Sequence, residues 1–483
     1  MLPAVERKTL YINCTQVWKF RMERIEDVKQ PNLKKQKREF GPGDRISCLP
    51  DDVLVFILSR FPIKVAVRTS LLSRRWRWLW TSVPRLEFDS SNTLRAIKNR
   101  AFGSLSIGEF IDSEKVRLVS LVNHLVESYP LPVIDVFKVC FDLNRSHKHD
   151  IDKWVKFLFE KKAKSIELDF SRAVDLHLPY HLYTLSPSKL GLPSSHPLTS
   201  LVLKSVKVSG KVLHNFISNS PFLERLCVVG SRSLVHLRVA GPSLHLKYLE
   251  ISDCSRLRSL KLVAPNLLTL KYSGPYINIP FENVPNLTEL SIRNDDNNDD
   301  DDLIFTELQQ ILTFVPQLQM LTLYIDDEMD MVTSIRLPLM NQLRHMKLSV
   351  CADNMDSLLF LSSWIKACPS LHRFTLDVTT LTLRPLEWGS SILYRRIKKR
   401  RKSAHPSLKV VEITGFVGET VDTELCILLI ENAIELEKIV ITLSVLWNTG
   451  RSSSTYYDRR PTARKRAENL RLKYNLGNKL VIT

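Results

Sequence analysis

The chain has 483 residues, 44% of them hydrophobic and 25% charged, with only 14 glycines and a formal net charge of +18. This is the make-up of a soluble globular protein with room for several domains, and so few glycines speak against glycine-rich phosphate loops and low-complexity linkers. The charge excess is local: residues 1–43 carry +5, the run 395–402 carries +7 and residues 451–483 carry +7, which leaves −1 for the rest and disfavours nucleic acid as partner of the folded body.

Residues 1–43 show no sustained period, lack the apolar core of a signal peptide, and close with Lys34-Lys35-Gln36-Lys37-Arg38. They read as a basic mobile tail. The stretch 44–88 is denser. Leu49 and Pro50, followed by Asp51 and Asp52, open a helix, because proline fits the first turn and carboxylates favour its positive end. Val53, Leu54, Ile57 and Leu58 recur at helical spacing until Pro62. Ile63, Val65, Val67, Leu71 and Leu72 make a second apolar segment, and Ser73 is placed to cap a third helix over 74–83, stopped by Pro84. Trp76, Leu79, Trp80 and Val83 share one face of that helix while Trp78 lies off it. Three short helices enclose little, so either these tryptophans are the core of an ordinary mini-domain or an apolar face is meant for a partner.

The order of these residues resembles the F-box, the three-helix module that docks a Skp-type adaptor of cullin-based ubiquitin ligases. Leu49-Pro50 matches its opening, Ile57-Leu58 its aliphatic pair, and Leu72-Ser73-Arg74-Arg75-Trp76 its Ser/Cys-Lys/Arg-x-Trp signature. The ending Trp78-x-Trp80 is similar to the plant branch, in which leucine-rich repeats and a C-terminal FBD region often follow. The resemblance implies adaptor contacts from Leu49, Pro50, Val53, Leu54, Ile57, Leu58, Val65, Leu72, Ser73, Trp76, Leu79 and Trp80.

Residues 89–130 read as a linker containing a helix over 107–126. From residue 131 one pattern recurs, apolar-x-x-apolar-x-apolar, as in Leu198-Leu201-Leu203, Leu246-Leu249-Ile251 and Leu371-Phe374-Leu376. This is the leucine-rich-repeat template, in which each strand buries alternate residues and stacks into a parallel sheet. Leu234-Leu237-Val239 and Leu257-Leu260-Leu262 fall too close to their neighbours to be sheet strands with returning helices. Placed on the convex side, they leave sheet starts at 198, 223, 246, 267 and 287, stepping by 25, 23, 21 and 20. The central turns then return through extended segments, with short helices expected near 212–218 and 307–315. The acidic run 294–302 offers Asp296, Asn298, Asp300 and Glu307 at calcium-loop spacing, but Asp301 stands where that loop needs glycine, so a solvated loop is the better reading. The basic run 395–402 is a solvated loop or a nuclear-import signal. Residues 404–445 form a strand-helix-strand unit that resembles the FBD region and caps the sheet, and 446–483 read as a second basic tail.

The expected fold class is therefore α+β: an F-box module at 44–88, a repeat solenoid over 131–403 and an FBD cap. No run approaches the ~18 apolar residues of a membrane span, and the 8 cysteines are scattered without a C-x-x-C pair. These features predict a soluble protein of nucleus or cytoplasm with reduced thiols, no zinc and no cofactor. No nucleophile, metal or phosphate-loop motif is found, so no enzyme activity is expected, and His147, His149 and Asp150 are the nearest approach to a ligand cluster. The resemblance implies a substrate-recognition subunit that reaches a cullin through the adaptor and holds an unnamed protein target. A repeat scaffold uncoupled from ubiquitin transfer is the competing reading. Target contacts are expected on the concave sheet from Lys204, Arg225, Tyr248, Lys271, Arg293, Tyr324 and Lys347, with the two tyrosines as anchors.

Overall fold

The computed structural model describes residues 46, 48–90, 107–172, 181–186, 195–241, 244–275, 277, 279–294, 311–325, 337–351, 358–379, 404–418, 420–443 and 460–483. The N-terminal tail at 1–43, the acidic run after Asn294 and the basic run at 395–402 lie outside the described residues. The chain divides into two units between Leu54 and Val55.

In the first unit, a turn is closed by the Leu49 amide on the Ile46 carbonyl (3.1 Å) and helix α1, Asp51–Leu58, begins with Asp51 and Asp52 in its first turn; its last four residues belong to the second unit. In the second unit, Pro62 precedes α2, Ile63–Arg68, which a 3-10 turn extends over Thr69–Leu71. The third expected helix does not form. Residues 74–78 are turns, and only a 3-10 turn, Leu79–Ser82, follows. The reason is local: the Trp80 indole donates to the Arg77 carbonyl at 3.0 Å, competing with helical bonding, and Ser73 Oγ meets the Trp76 amide only at 3.5 Å, a weak cap.

The sheet begins sooner than the sequence suggested. Strand β1, Arg85–Asp89, lies within the stretch assigned to the F-box, buries Leu86 and Phe88, and pairs in parallel with β2, Val136–Cys140. Helix α2 packs directly against β1. Helix α3, Ile107–Ser128, is consequently the return of the first turn and not a connecting rod. It packs on α4, Lys148–Glu160, where Asn123 accepts from the Trp154 indole (2.7 Å) and donates to Asp150 (2.6 Å).

Beyond β3, Ser165–Asp169, and β4, Ser200–Lys204, helix α5, Gly210–Asn219, backs the sheet. Next come β5, Arg225–Val229; β6, His236–Ala240; β7, Tyr248–Ser252; β8, Ser259–Val263; β9, Thr269–Gly274; β10, Phe281–Asn283; and β11, Glu289–Asn294. β6, β8 and β10 leave the main sheet and form a separate three-stranded parallel sheet; the short spacings required this of β6 and β8, while β10 was not foreseen. In the main sheet Leu201, Leu226, Leu249, Leu270 and Leu290 stand in one row, which is the predicted register. Gly210 is what lets α5 start against β6, since a Cβ there would lie 1.8 Å from the His236 carbonyl oxygen.

The chain continues through β12, Met320–Ile325; β13, His345–Cys351; α6, Leu361–Lys366; β14, Arg373–Thr379; β15, Val410–Phe416; α7, Thr420–Asn432; and β16, Lys438–Leu443. Residues 311–314 are helical, the described part of the helix expected at 307–315. The FBD-like unit is the strand-helix-strand read from sequence. Asp422 accepts from the Val417 and Gly418 amides at 2.8 and 2.9 Å, and Gly415 turns with φ +82 where a Cβ would strike the Val378 carbonyl.

Residues 460–483 are not a tail. Helix α8, Arg460–Lys473, buries Ala463, Ala467 and Leu470, and β17, Leu480–Ile482, pairs in parallel with β16, completing a main sheet of 14 strands. The cations made this stretch look like tail sequence, but Arg464, Lys465 and Arg466 sit on the solvent side of a helix whose Ala463, Ala467 and Leu470, at i, i+4 and i+7, face inward, and Arg471 donates to the Leu480 carbonyl. A long parallel sheet backed by helices and short extended segments is the repeat architecture expected, following an N-terminal helical module.

Candidate interaction surfaces

The helical module divides its apolar side chains into two sets. Leu54, Leu58, Ile63, Ala66, Val67, Trp76, Leu79 and Trp80 are buried, whereas Phe56, Phe61, Val65, Leu71, Leu72 and Trp78 are exposed, Leu72 at 69% and Trp78 at 50%. Five residues expected to touch an adaptor, Leu54, Leu58, Trp76, Leu79 and Trp80, are therefore interior to the module and support its shape. Pro50, Val53, Val65, Leu72 and Ser73 are exposed, and Leu49 and Ile57 are half-buried. Sequence reasoning missed Phe56, Phe61 and Leu71. On α1, the pair Leu54 and Leu58 turns inward and Val53 and Phe56 stay in solvent; both pairs have helical spacing, so spacing alone cannot choose between them. Arg60 lies over the Phe56 ring at 4.9 Å.

Within the second unit, the chain before β1 is bonded to the first repeat turn. The Asp135 amide donates to the Pro84 carbonyl at 2.8 Å and Tyr129 Oη to the Val83 carbonyl at 3.3 Å.

The main sheet presents the residues between its buried positions on one open face, and all seven expected target contacts lie there. Most are already engaged with neighbours. Lys138 bridges Asp89 (2.8 Å) and Glu167 (3.3 Å); burial opposes its charge, but these two carboxylates prevail and raise its pKa. Lys204 reaches Asp169 at 3.5 Å. The Tyr248 ring lies between Arg225, 3.9 Å from its centroid, and Lys271 at 5.6 Å, while its hydroxyl donates to Glu250 at 2.5 Å. Burial, and then that carboxylate, raise the phenol pKa. Arg293 stacks over Tyr324 at 5.3 Å, and Lys347 occupies the row between Thr322 and Thr375. The tyrosines are thus flat, pre-positioned platforms and not free-standing side chains, which lowers the entropy cost of a contact on them.

Cys140 and Cys227, both on this face, are buried, and burial pushes each thiol up to about 12. A thiol so held is a poor nucleophile. His147 bonds Ser146 Oγ at 3.1 Å and burial lowers its pKa, while Asp150 serves Asn123, so the cluster suspected of metal binding is committed to local structure. Among the described residues no group of three or more His, Cys, Asp or Glu is placed to hold a metal ion, and no helix is long and apolar enough to cross a membrane.

Comparison with known proteins matches the F-box domain over residues 46–88 and the leucine-rich-repeat domain described for At1g61320/AtMIF1 over residues 133–469. The chain is 26% identical over 425 residues to the F-box/FBD/LRR-repeat protein At1g13570 of Arabidopsis thaliana, covering 83% of this chain and 92% of the relative. It is 27% identical over 408 residues to the FBD-associated F-box protein At5g60610 of the same plant, covering 78% and 93%. With the helical module and the repeat sheet each in the place these matches give them, the chain belongs to the family of F-box proteins with leucine-rich repeats.

Proposed function

We propose that this chain is the substrate-recognition subunit of a Skp-cullin-F-box ubiquitin ligase. Residues 46–84 would dock a Skp-type adaptor, and through it a cullin, while the open face of the main sheet holds a protein target. The observation that carries the reading is the exposed apolar set Phe56, Phe61, Val65, Leu71, Leu72 and Trp78 on a module that matches the F-box. So much exposed apolar surface on so small a module marks an interaction site. Ubiquitin transfer takes place on other subunits. This chain contributes by position, raising the effective concentration of target lysines near them, and needs no cofactor to do so. The basic run at 395–402, with the composition of a nuclear-import signal or of a solvated loop, supports action in the nucleus, the cytoplasm or both.

Co-expression with a Skp-type adaptor tests the proposal. A stoichiometric complex should form, and the chain made alone should aggregate or bind apolar dyes. A monomer that behaves well alone and retains no adaptor would leave only a repeat scaffold.

A further inference from the structure

The small sheet behind the main one carries charge of a different kind. Residues 230–241 and 254–264, which hold β6, β8 and the turns leading into them, contain Arg232, Arg238, Arg256, Arg258 and Lys261 without an acid, the acids that flank the second stretch being Asp253 and Glu282. On β6 and β8 the buried positions are Leu237, Val239, Leu260 and Leu262, so His236, Arg238, Ser259 and Lys261 point away from the core. Register sets Arg238 beside Lys261 and His236 beside Ser259, where the ring Nδ1 meets the hydroxyl at 2.8 Å. Arg232, Arg256 and Arg258 are exposed in the turns that lead into these two strands.

The contrast with the open face is the informative part. There, Lys138, Lys204, Arg225, Lys271 and Arg373 each have a carboxylate or a ring. On and beside the small sheet the side chains of Arg232, Arg238, Arg256 and Arg258 have no hydrogen bond, ion pair or ring contact among the described residues. Free arginine forks are suited to carboxylates, which they hold bidentately.

We propose that this outer face of β6 and β8 docks an extended acidic segment of a partner protein. Outward positions along a strand recur every ~6.8 Å, the interval at which an extended peptide presents every second side chain. The patch has no exposed Phe, Tyr or Trp on which bases could stack, its one exposed ring, His236, being bonded to Ser259, and no exposed apolar side chain to enter a lipid surface, which favours a peptide over single-stranded nucleic acid or a membrane. This surface is distinct from both the adaptor module and the open face, so it stands whether or not either is used as proposed.

The test is fluorescence anisotropy of a labelled decaglutamate peptide titrated with the full chain in complex with its adaptor. Binding should weaken with salt. The variant R232S/R238S/R256S/R258S should lose about thirtyfold in affinity, from four surface pairs of ~0.5 kcal/mol each, with an unchanged melting temperature. A control, R464S/K465S on α8, should bind as the natural protein does. Absence of binding, equal binding by the four-serine variant, or equal loss in the control would overturn the proposal. So would tighter binding of a duplex DNA through the same four arginines. Exchange of the aspartates at 295–302 for asparagine provides the last arm: a gain in peptide affinity of tenfold or more would make the chain's own acidic run the occupant, and it too would overturn the proposal.

Discussion

The adaptor surface can be tested where burial separates support from contact. Leu72 is 69% exposed, and since covering a leucine fully is worth ~1.5–3 kcal/mol, the share open to a partner is ~1–2 kcal/mol. Trp78 is 50% exposed; aromatic side chains bury ~150–250 Å², so roughly 100 Å² remains, or ~2.5 kcal/mol at ~25 cal/mol per Å². Leu72→Ala with Trp78→Ala should therefore weaken adaptor binding by up to ~4 kcal/mol, on the order of a thousandfold, while the melting temperature stays put because neither side chain is in the core. Leu58, 1% exposed, is the contrast: Leu58→Ala should cost ~2–5 kcal/mol of fold stability and reduce binding only as far as the module unfolds. Adaptor titration by calorimetry and a thermal melt of each variant provide both readings. A double-alanine variant that binds within threefold of the natural chain would refute the assignment of this face.

Two further outcomes follow from single features. His196 is fully buried, with its ring edge-on to Phe159 at 5.5 Å and neither ring nitrogen hydrogen-bonded, and burial together with Lys162 lowers its pKa. The unfolded chain therefore binds this proton more readily, and stability falls as pH drops below the ordinary ~6.5, by up to ~1.4 kcal/mol per unit. His196→Leu should raise stability at pH 7 by ~1–3 kcal/mol and flatten that acid-side loss, read from urea midpoints at pH 7 and 5.5; an unchanged pH slope would dismiss the reasoning. Deleting residues 460–483 should expose the β16 edge and the side chains now covered by Ala463, Ala467, Leu470 and Leu480, costing more than ~5 kcal/mol and yielding aggregates. A truncated chain that stays monomeric with the same melting temperature would make the segment a tail after all.

The repeats were legible because a period of two admits only one inward set. Once Leu249 and Ile251 are buried, Tyr248 and Glu250 must face the other way. The small back sheet was legible for a different reason: about ten residues between strands cannot hold a strand and a helix. The ends of the sheet were not. Leu86-x-Phe88 behind Pro84 offers only two apolar positions, and Leu480-Val481-Ile482 follows a strongly basic helix, so neither strand stands out until its neighbour supplies the hydrogen bonds. Helical spacing also failed to separate the two faces of α1 or to foresee the turns at 74–78, where indole-to-carbonyl bonding overrides the pattern.

The early start of the sheet bears on how such a protein would act. If residues 89–130 were a flexible linker, a bound target would sweep a wide volume and the effective concentration of its lysines would be diluted by the reach of the chain. Instead α2 packs on β1, and the carbonyls of Val83 and Pro84 are held by Tyr129 and Asp135 from the far side of the first turn. A target seated on β4 through β12 then lies three to eight strand spacings from β1 in the sheet order, about 14 to 38 Å at ~4.8 Å per strand. That distance is set by the repeats between β1 and the contact, so under the proposed function the strand a target used would decide which of its lysines is presented. The pre-stacked Tyr248 and Tyr324 would serve the same end under that proposal, since platforms already held by Arg225 and Arg293 add little freedom to what they hold.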